Sequence, residues 1–475
     1  MGRLGELCRA GEESERCWSE ALRRGGWWGE LRLEEEQVAR GRALRPSELV
    51  KWDPQRQEIV ARYVQRLMEI LWVDPGGAVK TSRLFELDAY LRILSQSVDI
   101  RGIDDPNRKR LLIQGAAFHR LKKYKIQGVH TFRHALAAQA RQYLARHPRN
   151  YWILFPLHAS PTEFERFRWF TVLETSLLVR RWRRVRTDFD LDAFLEDTLP
   201  PLAGLTISLE ADFTPVVAMV RGRDSHEAFR QAARAFDLFR SLLNLVPKFG
   251  RMTKRFGFQA EPLGTILPPP VYGVFDSEGA YLEYWYSTTR HANYRSNTVP
   301  PDQIRAARVL AKKLAGPIPR GGTASLVVGA LEKYGEALDA TEWRQCFLVF
   351  WQILELLTLQ TKGLNIKQVT NRICALLGQD QLVADLLGVL YDTRNELVHL
   401  GRFPADDEEG LIEINLLKHV VDRSLLAMIA KLGQLRSEGS LEKFYAHATE
   451  SSAALADRTR VIAHITRNRA KRDSA

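Results

Sequence analysis

Apolar residues recur every three to four positions through much of the N-terminal part of the chain, a spacing typical of amphipathic helices. The helices that this pattern predicts are 55–73, 81–97, 107–125 and 131–146. The last of them should end before His147-Pro148, because a residue before proline disfavours the helical conformation. Residues 1–50 mix charge and tryptophan without a clear period. The region 1–150 is therefore predicted to be mostly helical.

The pattern changes after this region, where short runs rich in β-branched and aromatic residues predict strands. The strand candidates are 151–157, 205–211 and 214–220, and the run 170–174 fits either a strand or a helix. Ser225 is predicted to cap a helix that runs to about Val246, and 274–286 is predicted to be a hairpin around Ser277–Gly279. Residues 151–315 are thus expected to form a mixed α/β domain.

A linker rich in glycine and proline at 316–322 precedes a part of the chain that is almost wholly helical. The predicted helices are 323–338, 341–360, 366–377, 380–399 and 410–434. Short connections between five helices predict a compact bundle over 323–440, followed by a basic tail at 441–475. The expected fold class is α+β, with an N-terminal mixed α/β region followed by a C-terminal all-α bundle.

Composition narrows the classes of protein that remain. The chain has 45% hydrophobic residues, but no run approaches the roughly 18 uncharged apolar residues of a membrane span. The charged N-terminus lacks the apolar stretch of a signal peptide. The four cysteines are Cys8, Cys17, Cys346 and Cys374; they form no CxxC pair, a pattern typical of a reduced intracellular protein. We expect a cytoplasmic location, no membrane partner and no cofactor.

Net charge is distributed unevenly along the chain. The whole chain carries +12, but 323–440 contains 11 Lys or Arg against 16 Asp or Glu, a net charge of −5. A polyanionic partner is therefore expected to be held by the N-terminal part or by the tail. A solvated basic surface without a partner remains the alternative.

The segment with the most compact chemical meaning is Arg394-Asn395-Glu396-Leu397-Val398-His399, at the end of the fourth predicted bundle helix, which Gly401 should close. An arginine can hold a phosphate and stabilise developing negative charge, and a histidine transfers protons near neutral pH. A helix C-terminus also favours the charged imidazolium. These groups are the minimum for RNA cleavage without a metal ion.

The motif R-N-x-x-x-H on a late helix of a bundle, directly before a glycine turn, resembles that of HEPN domains. ALEKYGEALDA at 330–340, Leu354-Glu355 and LYDTRNELVHLGRF at 390–403 are similar in order and spacing to the Apea-like HEPN branch. The resemblance covers about residues 320–435 and implies a ribonuclease in which the ribose 2′-hydroxyl attacks the adjacent phosphate and leaves a 2′,3′-cyclic phosphate. It implies that His399 is the general acid or base, that Arg394 holds the phosphate, and that Asn395 orients the pair or the substrate.

The spacing of the motif also predicts a homodimer. Five positions on an ideal α-helix rotate a side chain by about 140°, so Arg394 and His399 diverge and one helix makes a poor site. Two copies across a twofold axis can gather both pairs into one cleft, which agrees with the composite dimer sites of the family. We expect the interface to include 380–402.

Glu355 interrupts an apolar helix face, and a buried carboxylate needs a partner. It either braces Arg394 across the bundle or extends to solvent at the bundle end. Arg394 has a purely structural alternative as well, in which it pairs with Asp392, Glu396 or the acidic loop at 403–410.

Candidate RNA contacts lie elsewhere in the chain. Arg180, Arg181, Trp182, Arg183 and Arg184 combine cations with an aromatic ring that can stack on a base, although such a run is often only a solvated face. The same two interpretations apply to the second basic run, which comprises Arg108, Lys109, Arg110, Lys122, Lys123 and Lys125. His130 and His134 have the spacing of a metal pair but lack a third ligand, so we expect no metal site.

Two functional hypotheses follow. The first is a metal-independent endoribonuclease whose α/β region senses an unknown trigger or positions RNA; by resemblance, such proteins act in phage defence or as toxins. The second is a non-catalytic HEPN dimerisation scaffold with a basic region that binds nucleic acid or protein.

Overall fold

The computed structural model describes residues 45–52, 54–75, 78–123, 129–160, 164, 167–202, 209–245, 263–286, 298–316, 322–358, 366–378, 381–403, 407–435, 438–448, 450 and 452–473. The chain divides into two compact units, Met1–His147 and Pro148–Ala475. The α+β fold class is confirmed, because a six-stranded sheet is followed by a helical C-terminal region. No described helix is both long enough and apolar enough to cross a bilayer.

The described part of the first unit is mainly helical. Its elements are α1 (Pro46–Leu49), β1 (Val50–Trp52), α2 (Gln57–Ile70), β2 (Trp72–Val73), β3 (Val79–Lys80), α3 (Leu84–Ser97), β4 (Val98–Ile100), α4 (Pro106–Lys123) and α5 (Val129–Leu144). The four predicted helices are therefore confirmed, with ends shifted by a few residues. In α2 the buried positions are Val60, Val64, Leu67 and Ile70, the helical period from which the element was predicted.

A six-stranded antiparallel sheet with the order β10-β9-β5-β8-β7-β6 begins the second unit. The strands and the helices between them are β5 (Arg149–Leu157), β6 (Trp169–Val172), β7 (Thr175–Val179), α6 (Trp182–Asp188), α7 (Leu191–Leu202), α8 (Leu209–Asp212), β8 (Thr214–Gly222), α9 (Ser225–Leu245), β9 (Val271–Phe275) and β10 (Tyr281–Tyr286). The predicted hairpin is confirmed: Asp276 exchanges backbone hydrogen bonds with Ala280 and Gly279, and Gly279 has the positive φ that the turn requires.

Successive residues of the central strands point to opposite faces of the sheet, as strand geometry dictates. Ile153 and Phe155 contribute to a core that also contains Phe236 of α9, whereas Leu154 belongs to a separate core under α6 and α7 that includes Phe194. Both faces of the sheet are therefore covered by helices.

The C-terminal part of the chain is helical. Its helices are α10 (Pro301–Lys313), α11 (Thr323–Asp339), α12 (Trp343–Thr358), α13 (Ile366–Leu376), α14 (Gln381–Asn395), α15 (Asp407–Lys431), α16 (Glu438–Ala448) and α17 (Ser452–Asp473). Of these, α10 and α11 pack against α9. α12 is central, as its all-round apolar sequence predicted, and it contacts α11, α13 and α15. One continuous core joins the sheet to the bundle, since Phe155, Phe236 and Leu338 belong to the same cluster. The two parts that the sequence divided at 316–322 thus lie within one packed unit.

Three expectations are corrected by the structure. The described part of the strand predicted at 205–211 is instead the helical turn α8, whose Leu209 is buried under the sheet. The cap of α9 is Asp224 rather than Ser225, since the Asp224 carboxylate accepts the Glu227 backbone N–H at 2.9 Å. The bundle extends beyond 440, because α16 buries Leu441 and Tyr445 in its core.

Candidate functional site

The Arg–His motif lies where α14 ends in an unusual backbone conformation. The α-helical hydrogen bonding stops at Asn395, and Glu396–Leu400 form a π-helical turn. Gly401 then ends the helix in the left-handed conformation, with φ of 65°, and its N–H is shared between the carbonyls of Glu396 and Leu397. The predicted glycine closure is therefore confirmed.

The π turn changes the geometry expected from the sequence. A π-helix hydrogen-bonds residue i to residue i+5, so it takes more residues per turn than an α-helix. Positions five apart are therefore rotated by less than the 140° of an ideal α-helix, and Arg394 and His399 diverge less than the spacing predicted. Turns of this kind often occur at functional sites.

Arg394 is held from the neighbouring helix α12. Its Nη2 lies 3.5 Å from Oε1 of Glu355, and that same oxygen accepts a hydrogen bond from the Trp351 indole N–H at 3.0 Å. The Arg394 Nη1 also donates to the Asn395 side-chain oxygen at 3.3 Å. Of the alternatives left open by the sequence, the geometry matches Glu355 as the brace of Arg394.

The pair is partly open to solvent. The Arg394 and Glu355 side chains are 23% and 27% exposed. Ion pairs at such exposure contribute only about 0–1 kcal/mol to stability. The contact therefore matters more for orienting the guanidinium than for holding α12 and α14 together. An exposed edge also leaves the remaining guanidinium N–H groups accessible to an oxyanion.

His399 lies on the π turn and is exposed. Among the described residues its imidazole ring has no hydrogen-bond or ion-pair partner. Its neighbours Val398 and Leu400 are apolar and also exposed, at 48% and 61%. An imidazole in this position can exchange protons with a substrate without first breaking an internal contact.

Sequence reasoning missed the aromatic support around Glu355. Trp351 is buried one helical turn before Glu355, and its ring centroid lies 6.0 Å from that of Tyr391 on α14. The i,i+4 spacing of Trp351 and Glu355 was visible in the sequence, but the approach of Tyr391 depends on the packing of α12 against α14.

The basic run around Trp182 is only partly available as an RNA contact. Trp182 is buried, and its indole N–H donates to the Phe213 carbonyl at 2.9 Å, so the expectation that its ring stacks on a base is wrong. Arg180, Arg181, Arg183 and Arg184 are exposed. The next arginine, Arg186, is bound by Glu210 and Asp192. Four cations thus remain on a surface that also carries carboxylates.

In the first unit the basic run is engaged internally. Arg108 is buried with its guanidinium carbon 4.4 Å from the Tyr143 ring centroid, Lys109 lies 3.5 Å from Asp99, and Arg110 pairs with Asp88. The interpretation of these three as an RNA-contact site loses its support. The side chains of Lys122 and Lys123, and all of Lys125, lie outside the described residues.

The remaining candidates have ordinary environments. His130 and His134 are exposed, with ring centroids 4.5 Å apart. Cys346 and Cys374 are buried free thiols, as their apolar surroundings predicted, and burial raises the pKa of Cys346 to about 12. Cys8 and Cys17 lie outside the described residues.

Comparisons of the chain with protein-family models, with curated proteins and with solved structures found no match.

Proposed function

We propose that the second unit is a metal-independent endoribonuclease of the HEPN type. The observation that carries the proposal is the end of α14, where an exposed histidine follows an arginine that Glu355 orients from α12. In the proposed reaction His399 either accepts the proton of the attacking ribose 2′-hydroxyl or donates a proton to the leaving oxygen. Arg394 binds the phosphate and stabilises the charge of the pentacoordinate transition state. Asn395 orients Arg394 through its side-chain oxygen.

A homodimer is part of this proposal. The helix that carries the motif exposes Leu382 at 75% and Val389 at 61%, seven positions apart and therefore on one face. Ile412 and Leu416 of α15 are exposed as well. Apolar residues grouped on two neighbouring helices favour contact with a second copy through α14. Such a contact would bring two copies of the motif close to one twofold axis.

The deciding experiment is RNA cleavage by the full chain in the presence of EDTA. We expect wild-type protein to cut single-stranded RNA and to leave 2′,3′-cyclic phosphate ends. Arg394→Ala and His399→Ala should each lower the rate by about 100-fold or more, since each removes a group that acts in the transition state. Arg344→Ala and His130→Ala, which change exposed residues of the same types elsewhere, are the matched controls.

The outcome of this experiment also separates the second hypothesis from the first. A dimer that binds RNA but never cuts it, with or without divalent ions, would favour the non-catalytic scaffold. Cleavage that Arg394→Ala leaves intact would contradict the proposed site. Because the α/β region at 151–315 is the proposed sensor of an unknown trigger, the assay is run in cell extract from infected and uninfected bacteria as well as with purified RNA.

A further inference from the structure

The proposed nuclease must bind RNA, a polyanion, although the bundle that carries its motif is acidic. The bundle at 323–440 carries −5 and its motif helix exposes Asp385, Asp392 and Glu396. Phosphate backbones are repelled by such a surface and are normally held by arginine and lysine. The cations must therefore come from another part of the molecule.

The C-terminal helix α17 is basic, and its described side chains are exposed. It spans Ser452–Asp473 and contains six Lys or Arg against two Asp. Every side chain described in it, from 453 to 467, is exposed. In α4, by contrast, Arg108 is buried and Arg110 pairs with Asp88, and in α6 Arg186 pairs with Glu210.

Three of the six Lys or Arg positions of α17 lie along one face. Positions 460, 464, 467 and 471, which hold Arg, His, Arg and Lys, follow the spacing i, i+4, i+7 and i+11, which places them on one side of a helix. The side chain of Lys471 lies outside the described residues. At 1.5 Å per residue this basic stripe is about 16 Å long. Arg460 is 78% exposed and has only a 3.8 Å contact with Asp457, which is itself 73% exposed. The Arg467 Nε donates to the Ala463 carbonyl of its own helix.

The face of α17 opposite the basic stripe is poorly suited to contact a lipid surface or to form a water-free interface with another helix. Leu455, Ile462 and Ile465 lie there and are exposed. Positions 458 and 469 on this same face are both arginine. Arg458 is bound to Glu450 at 3.0 Å and contacts the His447 ring, which fixes the base of the helix beside α16. Burying the Arg458 guanidinium in an apolar environment would be costly.

We infer that the stripe Arg460–His464–Arg467–Lys471 is the RNA-capture face of the protein, where it holds the sugar-phosphate backbone of a single strand without reading its sequence. The inference rests on the proposed function for the identity of the polyanion. It separates two tasks in the chain: α17 holds the strand, and the end of α14 cuts it.

The test measures binding rather than cleavage. The parent is the full chain with His399→Ala, so that RNA stays intact during the measurement. A short fluorescein-labelled single-stranded RNA is titrated and followed by anisotropy across a range of salt concentrations. The stripe variant carries Arg460→Gln, Arg467→Gln and Lys471→Gln. Glutamine keeps the helix propensity of the cations that it replaces, and circular dichroism checks that helix content is unchanged.

A control with the same loss of three charges is Arg305→Gln, Lys312→Gln and Lys313→Gln on α10, where all three side chains are exposed. Each phosphate contact on a single strand contributes about 0.7 to the slope of log Kd against log salt. The stripe variant should therefore lose about 2 from this slope and bind about 100-fold more weakly at about 0.1 M salt. The control variant should stay within about threefold of the parent.

Two results would overturn the inference. One is a stripe variant with the Kd and the salt slope of its parent, and the other is a control variant that loses as much affinity as the stripe variant. If the stripe variant binds RNA like its parent but no longer binds phosphatidylserine vesicles, the inference is overturned and α17 is a membrane-binding element. Failure of the nuclease proposal looks different, because wild-type protein would then bind RNA through α17 and leave it uncut.

Discussion

We expect the buried ion pair between α9 and α11 to be important for the stability of the second unit, because it joins the sheet to the bundle. Arg240 is only 3% exposed, and its two terminal nitrogens each lie 2.6 Å from an oxygen of Asp339. The Arg240 Nη1 also donates to the Ile266 carbonyl at 3.2 Å. Burial by itself lowers the pKa of this guanidinium, but the carboxylates of Asp339 and Asp237 outweigh it and leave the pKa raised.

We expect Asp339→Asn to be strongly destabilising, because it leaves the Arg240 charge buried without its partner. Removing one member of a buried pair costs about 3–5 kcal/mol. An unfolding entropy of about 2.1 cal/mol/K per residue over a unit of roughly 330 residues converts this loss into a Tm lower by about 4–7 °C. Thermal unfolding followed by circular dichroism measures the shift.

The same two helices provide the control. Arg234 and Glu332 also join α9 to α11, but their side chains are 56% and 36% exposed. An exposed pair contributes about 0–1 kcal/mol, so Glu332→Gln should lower Tm by no more than about 1–2 °C. The double variant Arg240→Met/Asp339→Leu should recover most of the loss, since it removes both charges and the Ile266 carbonyl keeps the Asn244 amide as a donor. Equal Tm values for Asp339→Asn and Glu332→Gln would refute the reasoning.

Three further predictions concern the site and its helix. Glu355→Gln should lower kcat for RNA cleavage by about 10- to 100-fold with little change in KM, because the proposed role of Glu355 is to position Arg394 through their 3.5 Å contact. Glu355→Asp should restore part of the rate, and an unchanged kcat would contradict the proposed role. Gly401→Ala should lower the free energy of unfolding by about 1 kcal/mol, because φ is positive at this position. Gly388→Ala in α14, where an added Cβ meets open space, should raise it by about 0.5–1 kcal/mol. Urea unfolding measures both changes, and changes of the same sign would contradict the prediction. Burial raises the pKa of the Cys346 thiol to about 12, so this thiol ionises at lower pH in the unfolded chain, and stability is lost as pH rises from about 9 towards 12. Cys346→Ala should remove this contribution, which is up to about 1.4 kcal/mol per pH unit. Identical profiles of unfolding free energy against pH for the two proteins would contradict the prediction.

The parts of the fold that the sequence predicted are those in which local spacing decides burial. Helix α2 is an example, since its buried residues follow one helical face. The strand expected at 205–211 failed because alternation over a few residues does not distinguish a strand from a helical turn whose Leu209 fills a gap under the sheet. Trp182 was misread for a different reason. Trp182 and Val185 are three positions apart and both buried, a helical signal that the surrounding arginines obscured.

Only the part of the candidate site that is contiguous in the chain could be predicted from the sequence. Arg394, Asn395 and His399 are close in the chain, so their types and spacing indicate a chemistry directly. Glu355 lies on a different helix, and its distance from Arg394 depends on how α12 and α14 pack. The π turn is harder still to predict, because it arises from a shift in backbone hydrogen bonding that no residue type in ELVHL specifies.

The π turn also changes the reason for expecting a dimer. In an ideal helix the divergence of Arg394 and His399 alone calls for a second copy to complete the site. Because the π turn reduces that divergence, each α14 has a better arrangement by itself, and the geometric need for a partner is weaker. The argument for a dimer now depends on the exposed apolar residues Leu382 and Val389, which would be covered by another copy. Leu382→Lys with Val389→Lys should therefore give a monomer in light scattering. If that monomer still cleaves RNA at the wild-type rate, each α14 end is a complete site and the composite dimer site is wrong.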